Sequence, residues 1–183
     1  MSLLFESLRD RKKHLSHLSH LFPNINVKIF HQCFDRARPS AARATSNADQ
    51  RVPANTFVKV RFQNEDFDLN NEYNPANSTF SPRQDGVYQI IGTISFDPDN
   101  NNVDYRARVE IRVNGNPAIS TDNDFFGGGV NFSNVVSVAT ILQLQAGDRV
   151  EVFAQSSTPG FIRENEPGGN STRFEIARFP SPL

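Results

Sequence analysis

An all-β sandwich or jelly roll is the fold class that this sequence predicts, and three observations predict it. From Phe57 onward the apolar residues recur mainly with a spacing of two, the period of a strand whose side chains alternate between faces. Clusters of turn residues, Asn100-Asn101-Asn102, Asn114-Gly115, Gly127-Gly128-Gly129, Gly147-Asp148 and Pro167-Gly168-Gly169, cut the chain into short runs at the intervals of a sandwich. No run of helical spacing survives in the same stretch. At 183 residues the chain has room for one such domain and a tail.

The tail comes first, and its composition differs from the rest. All four histidines, Cys33 and Met1 lie within the first 50 residues, which hold eight Lys/Arg against four Asp/Glu, while residues 51–183 hold eleven against sixteen. The division expected is therefore a basic connector, 1–50, followed by an acidic body, 51–183. Leu4, Leu8, Leu15, Leu18 and Phe22 follow a broken 4-then-3 spacing, which predicts a short amphipathic helix over about 3–21 ending before Pro23. That helix reads as a stalk through which copies associate, or as a marginal surface helix. Ile25, Val27 and Ile29 alternate like a short strand. The stretch from Arg36 to Arg51, rich in Ala, Ser, Asn and Arg, lacks periodicity and reads as a linker.

In the body, Val87 to Phe96 places Tyr88, Ile90, Ile94 and Phe96 on one parity and Ile91 on the other, as in a strand covered on both faces. Next, Tyr105, Ala107, Val109, Ile111 and Val113 interleave with Arg106, Arg108, Glu110 and Arg112, and only a strand separates those sets so cleanly. It stops at Asn114-Gly115, a strong hairpin signal. Val135 to Leu144 again carries two apolar faces: Val136, Val138, Leu142 and Leu144 against Val135, Ala139 and Ile141. A single sandwich buries about one face of each sheet, so the second faces are expected to be hidden against identical copies.

The totals exclude several functions. Nineteen Lys/Arg against twenty Asp/Glu leave no global field to hold nucleic acid or an anionic membrane. No stretch approaches the roughly 18–20 apolar residues of a transmembrane span. The cluster Arg9, Arg11, Lys12, Lys13 follows the first apolar residues and precedes no apolar core, so no secretory signal is recognisable and a surface location would need another route of export. A Ser-His-Asp or Cys-His nucleophile needs an imidazole, and the body has neither His nor Cys.

One string in the body has a fixed spacing: Phe62, five residues, Asp68, four residues, Tyr73, six residues, Phe80, five residues, Gly86, then Tyr88. It is followed in order by Val113-Asn114-Gly115, by the run Leu142 to Val150 containing Gly147-Asp148, and by Ser171-Thr172-Arg173-Phe174. Residues 52–180 thereby resemble the C1q domain, the trimeric jelly roll shared with the tumour necrosis factor superfamily. Two later positions, usually aromatic in the family, are Ile90 and Gly92 here. The resemblance implies a ten-stranded-type jelly-roll sandwich forming a homotrimer with its termini at one end, a recognition or assembly module rather than an enzyme. In this sequence no collagen-type stalk precedes the head, a departure that counts against complement-like roles. Its short loops, many Asn residues and cysteine-free body resemble bacterial heads, including those on spore surfaces. The function expected is a surface-displayed, non-enzymatic structural or adhesive head that binds multivalently. Two alternatives stay open: a fibre or layer subunit whose residues 1–50 dock into a neighbour, and a calcium- or carbohydrate-responsive module.

Residues that could carry chemistry are few. Asp97, Asp99, Asn101 and Asp104 concentrate oxygen ligands in one loop, as calcium requires, but without the Gly and Glu of an EF-hand; an ordinary polar loop is the competing reading. Some members of the resembled family hold calcium near the trimer axis. His14, His17, His20, His31 and Cys33 form an inventory for zinc or copper without a closed-site spacing, so solvated helix residues are the competing reading. Asp122 and Asp124 are the carboxylate pair to weigh for acid–base work, with a charged loop as the default. Gly127-Gly128-Gly129 follows Phe125-Phe126 and precedes no Lys-Ser/Thr, which argues against a phosphate cradle; the Phe pair is expected in an interface or the core. Asn77, Asn131 and Asn170 each begin an Asn-X-Ser/Thr triplet, at a density chance explains in a chain this rich in Asn.

Overall fold

The computed structural model describes residues 39–129, 132–165 and 171–180. The expected helix over 3–21, the strand at 25–29 and the ligand inventory of the tail lie outside the described residues. Ala37–Leu183 cluster as one compact unit. Its described residues contain strands and no helix: β1 (Ala41–Thr45), β2 (Gln50–Val52), β3 (Val58–Lys59), β4 (Asn64–Asp68), β5 (Tyr73–Asn74), β6 (Thr79–Phe80), β7 (Gly86–Pro98), β8 (Tyr105–Val113), β9 (Asn116–Phe126), β10 (Asn134–Leu144), β11 (Val150–Ser156), β12 (Gly160–Ile162) and β13 (Arg173–Arg178). Among the described residues these make two antiparallel sheets, of seven and six strands.

In the larger sheet, β10 pairs with one edge of β7 along its whole length, while β13 and then β12 share the other edge; β1 follows β13, β4 follows β1, and β2 pairs with β12. In the smaller sheet β11 sits between β8 and the short strands β3 and β6, with β9 outside β8 and β5 outside β6. Both sheets turn one parity of their strands into a common core. Tyr88, Ile90, Ile94 and Phe96 of β7, Val136 and Val138 of β10, and Ala107, Val109 and Ile111 of β8 are all buried there. The parity sorting expected from the sequence holds for each of these strands. The jelly-roll sandwich it implied is the fold observed.

Asn114-Gly115 forms the hairpin between β8 and β9 with both residues in the left-handed region, φ +55° and +79°. Such a turn twists in the sense of its strands and admits Asn and Gly in preference to other residues.

The expected linker over 36–51 requires correction, because β1 and the start of β2 fall inside it. β1 is an interior strand, hydrogen-bonded to β13 on one edge and to β4 on the other. Its inward residues are Ala42 and Ala44, both buried. Alanines generate no visible apolar period, and here the neighbouring strands rather than side-chain bulk create the strand. A boundary at 50/51 would part β1 from its sheet.

The charged parity of β8 is not left to solvent. Glu110 is 1% exposed although it points away from the core. Arg112 grips Oε1 of Glu110 with Nε and Nη2, and Arg108 Nη2 lies 3.1 Å from Oε2. Both guanidiniums stand over the Phe57 ring, at 5.1 and 4.9 Å, and Arg112 also covers Phe153 at 3.9 Å. Ion pairing and cation–π contact together tie the segment before β3 across the smaller sheet.

Candidate functional site

The fixed-spacing residues form a scaffold at one end of the sandwich. Phe62, Tyr73, Phe80 and Tyr88 converge on Phe174 of β13: Tyr73 stacks on it at 5.7 Å, Phe62 lies at 6.0 Å and Phe80 at 6.5 Å, with Tyr88 edge-on to Phe80 at 6.0 Å. The polar tips are satisfied. Tyr73 donates its hydroxyl to the Phe62 carbonyl at 2.7 Å, and Tyr88 donates to the Gln84 carbonyl at 2.8 Å. Burial pushes both phenols above their usual pKa. Asp68 accepts the backbone N–H groups of Asn70, Glu72 and Tyr73 at 3.0, 2.6 and 2.7 Å, so its carboxylate organises the turn that delivers Tyr73 to the core. Asp148 does the same between β10 and β11, accepting Gln145 N–H and Asn114 Nδ2, beside Gly147 at φ +88°. A Cβ at Gly86 would meet the Arg178 side chain, whose flexible end would have to shift.

The oxygen-rich loop is committed elsewhere. Asp99 accepts a bidentate pair from Arg51 at 2.6 Å, which lowers its pKa, and Asp97 accepts Arg163, whose other arm reaches Asp49. Arg51 and Arg163 both stand over the Phe161 ring. Asp104 accepts Gly128 N–H at 2.7 Å and Asn100 accepts Asn102 N–H. Among the described residues no three His, Cys, Asp or Glu side chains group as a metal site would. Guanidiniums take the place beside Asp97 and Asp99 that a cation would take; Asn101 remains in the same loop and has its own interactions.

The remaining singled-out residues part company. Asp122 and Asp124 share the inward parity of the edge strand β9, where burial and then Asp122 raise the pKa of Asp124. Phe126 stacks on Tyr105 at 5.1 Å, while its neighbour Phe125 is exposed on the opposite side. Asn77 is exposed; Asn131 and Asn170 lie outside the described residues.

The outward face of the larger sheet is left without a cover among the described residues. β10 presents Val135, Ala139 and Ile141 there, with Ile141 60% and Val135 49% exposed. Their partners on β7 are Ser95, Ile91 and Gln89. Across the sheet Ala177, Ala41 and Phe67 continue the same parity through the registers of β13, β1 and β4. Around Phe67, Ile91 and Ala177 the surface is a shallow hollow rimmed by Arg43, Gln89 and Glu175. Sequence parity had already picked out Ile91, Val135, Ala139 and Ile141. It missed Ala41, Phe67 and Ala177, because β1 read as linker and Phe67 stands alone among Asn, Glu and Asp.

Solved structures share this architecture. The globular domain of zebrafish complement 1qA protein superposes with a TM-score of 0.51 at 19% identity, over 78% of this chain and 98% of that one. The tumour necrosis factor Eiger from S. frugiperda gives 0.55 at 12% identity, over 80% and 96%. Murine APRIL at pH 5.0 gives 0.56 at 11% identity, over 77% and 99%. No curated protein matches the sequence. The C1q domain model matches residues 41–171, which starts at β1 and ends before β13. Domains of this kind commonly form trimeric recognition modules, are typically non-enzymatic and are typically extracellular or surface-exposed. By its family match and its two-sheet jelly roll, the chain belongs to the C1q domain family.

Proposed function

We propose that this chain is a homotrimeric, non-enzymatic head that is displayed at a surface and binds a repetitive target multivalently, and that the outward face of the larger sheet is where its copies meet. The uncovered apolar face carries the reading. Val135 and Ile141 project from the β10 side of that face, and the hollow around Phe67 and Ile91 lies on the β1 and β4 side. A projection on one flank and a hollow on the other suit a head-to-tail contact, which closes as a ring rather than as a two-fold pair. Three recognition surfaces on one rigid body raise the effective concentration of each for a repeated ligand.

Sedimentation of the full chain tests the assembly: the expected mass is three times the 20.5 kDa chain mass, and a stable monomer would sink the reading. The part of the expected 1–50 connector that precedes the compact unit, residues 1–36, links the head to a fibre or layer neighbour. Because β1 begins at Ala41, the connector is tested by removing residues 1–36. Trimers are then expected to persist while higher assemblies vanish.

A further inference from the structure

A groove on the side of the smaller sheet has no role in the reading above. It encloses about 950 Å³ between the β5–β6 hairpin and the segments that carry Arg83 and Arg149. Lys59, also in its lining, is already satisfied by Thr79 at 2.8 Å and Glu151 at 2.7 Å. Arg83 and Arg149 are different. Both are exposed, and neither guanidinium has a hydrogen bond, ion pair or ring contact among the described residues. The two acids in the lining are already engaged, Glu151 by Lys59 and Glu72 by Arg83 N–H and the Ser40 hydroxyl, and of those nearby Asp85 accepts Ala146 N–H and Asp148 accepts Gln145 N–H. Most other described arginines are paired with a carboxylate in this acidic body, so two arginines with unpaired side chains in the lining of one concavity single the groove out.

We propose that this groove binds an acidic saccharide, its carboxylate held between Arg83 and Arg149 and its hydroxyls by the side-chain amides of Asn71 and Asn77. Arginine presents a planar fork that matches a carboxylate in two hydrogen bonds. The groove is larger than an isolated anion needs, and Asn71 and Asn77, whose side chains have no partner among the described residues, supply both donors and acceptors suited to hydroxyl groups. The strands that line it, β3, β5, β6 and β11, all belong to the smaller sheet, so association through the larger sheet leaves it open. The inference deepens the recognition-head reading by naming a ligand class. It needs that reading for avidity only, since the groove is complete within one chain.

Calorimetric titration of the full chain with short hyaluronate and polygalacturonate fragments tests it, with a maltooligosaccharide and inorganic sulfate as comparators. A uronate fragment is expected to bind at one site per chain. Arg83→Gln and Arg149→Gln are each expected to weaken it about tenfold, the loss of one charge-assisted hydrogen-bond pair. Sedimentation and thermal melting should stay unchanged in both variants, so a failed trimer and a failed groove are read separately. Absence of binding by both uronates, equal binding of the neutral sugar, sulfate binding as tight as the sugar, or variants that bind like the parent would each overturn the proposal.

Discussion

Phe62 illustrates how a single residue holds the head together. It is buried, packs on Phe174 and offers its carbonyl to the Tyr73 hydroxyl, so truncation removes packing and loosens a hydrogen bond together. Phe62→Ala is expected to destabilise the fold by roughly 3–5 kcal/mol in chemical denaturation; a loss below about 1 kcal/mol would mean that the site collapses without penalty. The three tyrosines of the chain lead to a pH prediction. Tyr73, Tyr88 and Tyr105 all have pKa values raised above 10.0, mainly by burial, because the low-dielectric core disfavours the phenolate. A raised folded pKa gives stability that is fully present below the unfolded value near 10 and lost as pH climbs towards the folded value. Tyrosinate absorbance is therefore expected to stay low in the native protein beyond pH 10 and to rise together with alkaline unfolding. Free titration of all three at pH 10 without unfolding would contradict their burial.

At the scale of the element, β8 shows how a strand with one charged parity ends up with a buried carboxylate. Phe57 and Phe153 arrive from β3's approach and from β11 to meet Arg108 and Arg112, leaving Glu110 out of contact with water. Glu110 then holds two half-buried cations. Removing it strands them against aromatic rings, and Glu110→Ala is expected to cost about 3 kcal/mol in thermal or urea unfolding. A neutral outcome would show that Arg108 and Arg112 simply turn out to solvent. Strand β1 teaches the complementary lesson. Ala41-Ala42-Arg43-Ala44-Thr45 carries no apolar period, but β13 and β4 accept its backbone groups on both edges. Strand identity here comes from pairing, and pairing between residues about 130 apart in sequence has no local signature.

For the whole molecule, the distribution of exposed apolar residues decides the mode of assembly. Ile141 is more exposed than its β10 neighbour Val135 on the uncovered face, and within one chain it gains nothing from being apolar. Ile141→Glu is expected to leave the sandwich folded, since it points away from the core, while shifting sedimentation from trimer to monomer. An unchanged trimer would place the association surface elsewhere. The strands that line the groove with Arg83 and Arg149 belong to the other sheet, so the proposed self-association and the proposed ligand recognition use different surfaces of one body. That separation is what a multivalent head requires.

The sequence by itself determined the sandwich, the inward and outward parities of β7, β8 and β10, the hairpin at Asn114-Gly115 and the membership of the family, because each is written as a local period or a fixed spacing. It also exposed the second apolar face of β10. Only the tertiary structure decided that β1 exists, that Glu110 is buried, that Asp97 and Asp99 answer to Arg163 and Arg51, and that Arg83 and Arg149 share a groove. Those facts depend on which distant segments the two sheets bring side by side. Charge pairing and burial follow distance in space, and distance in space is a property of the closed sandwich rather than of any stretch of chain.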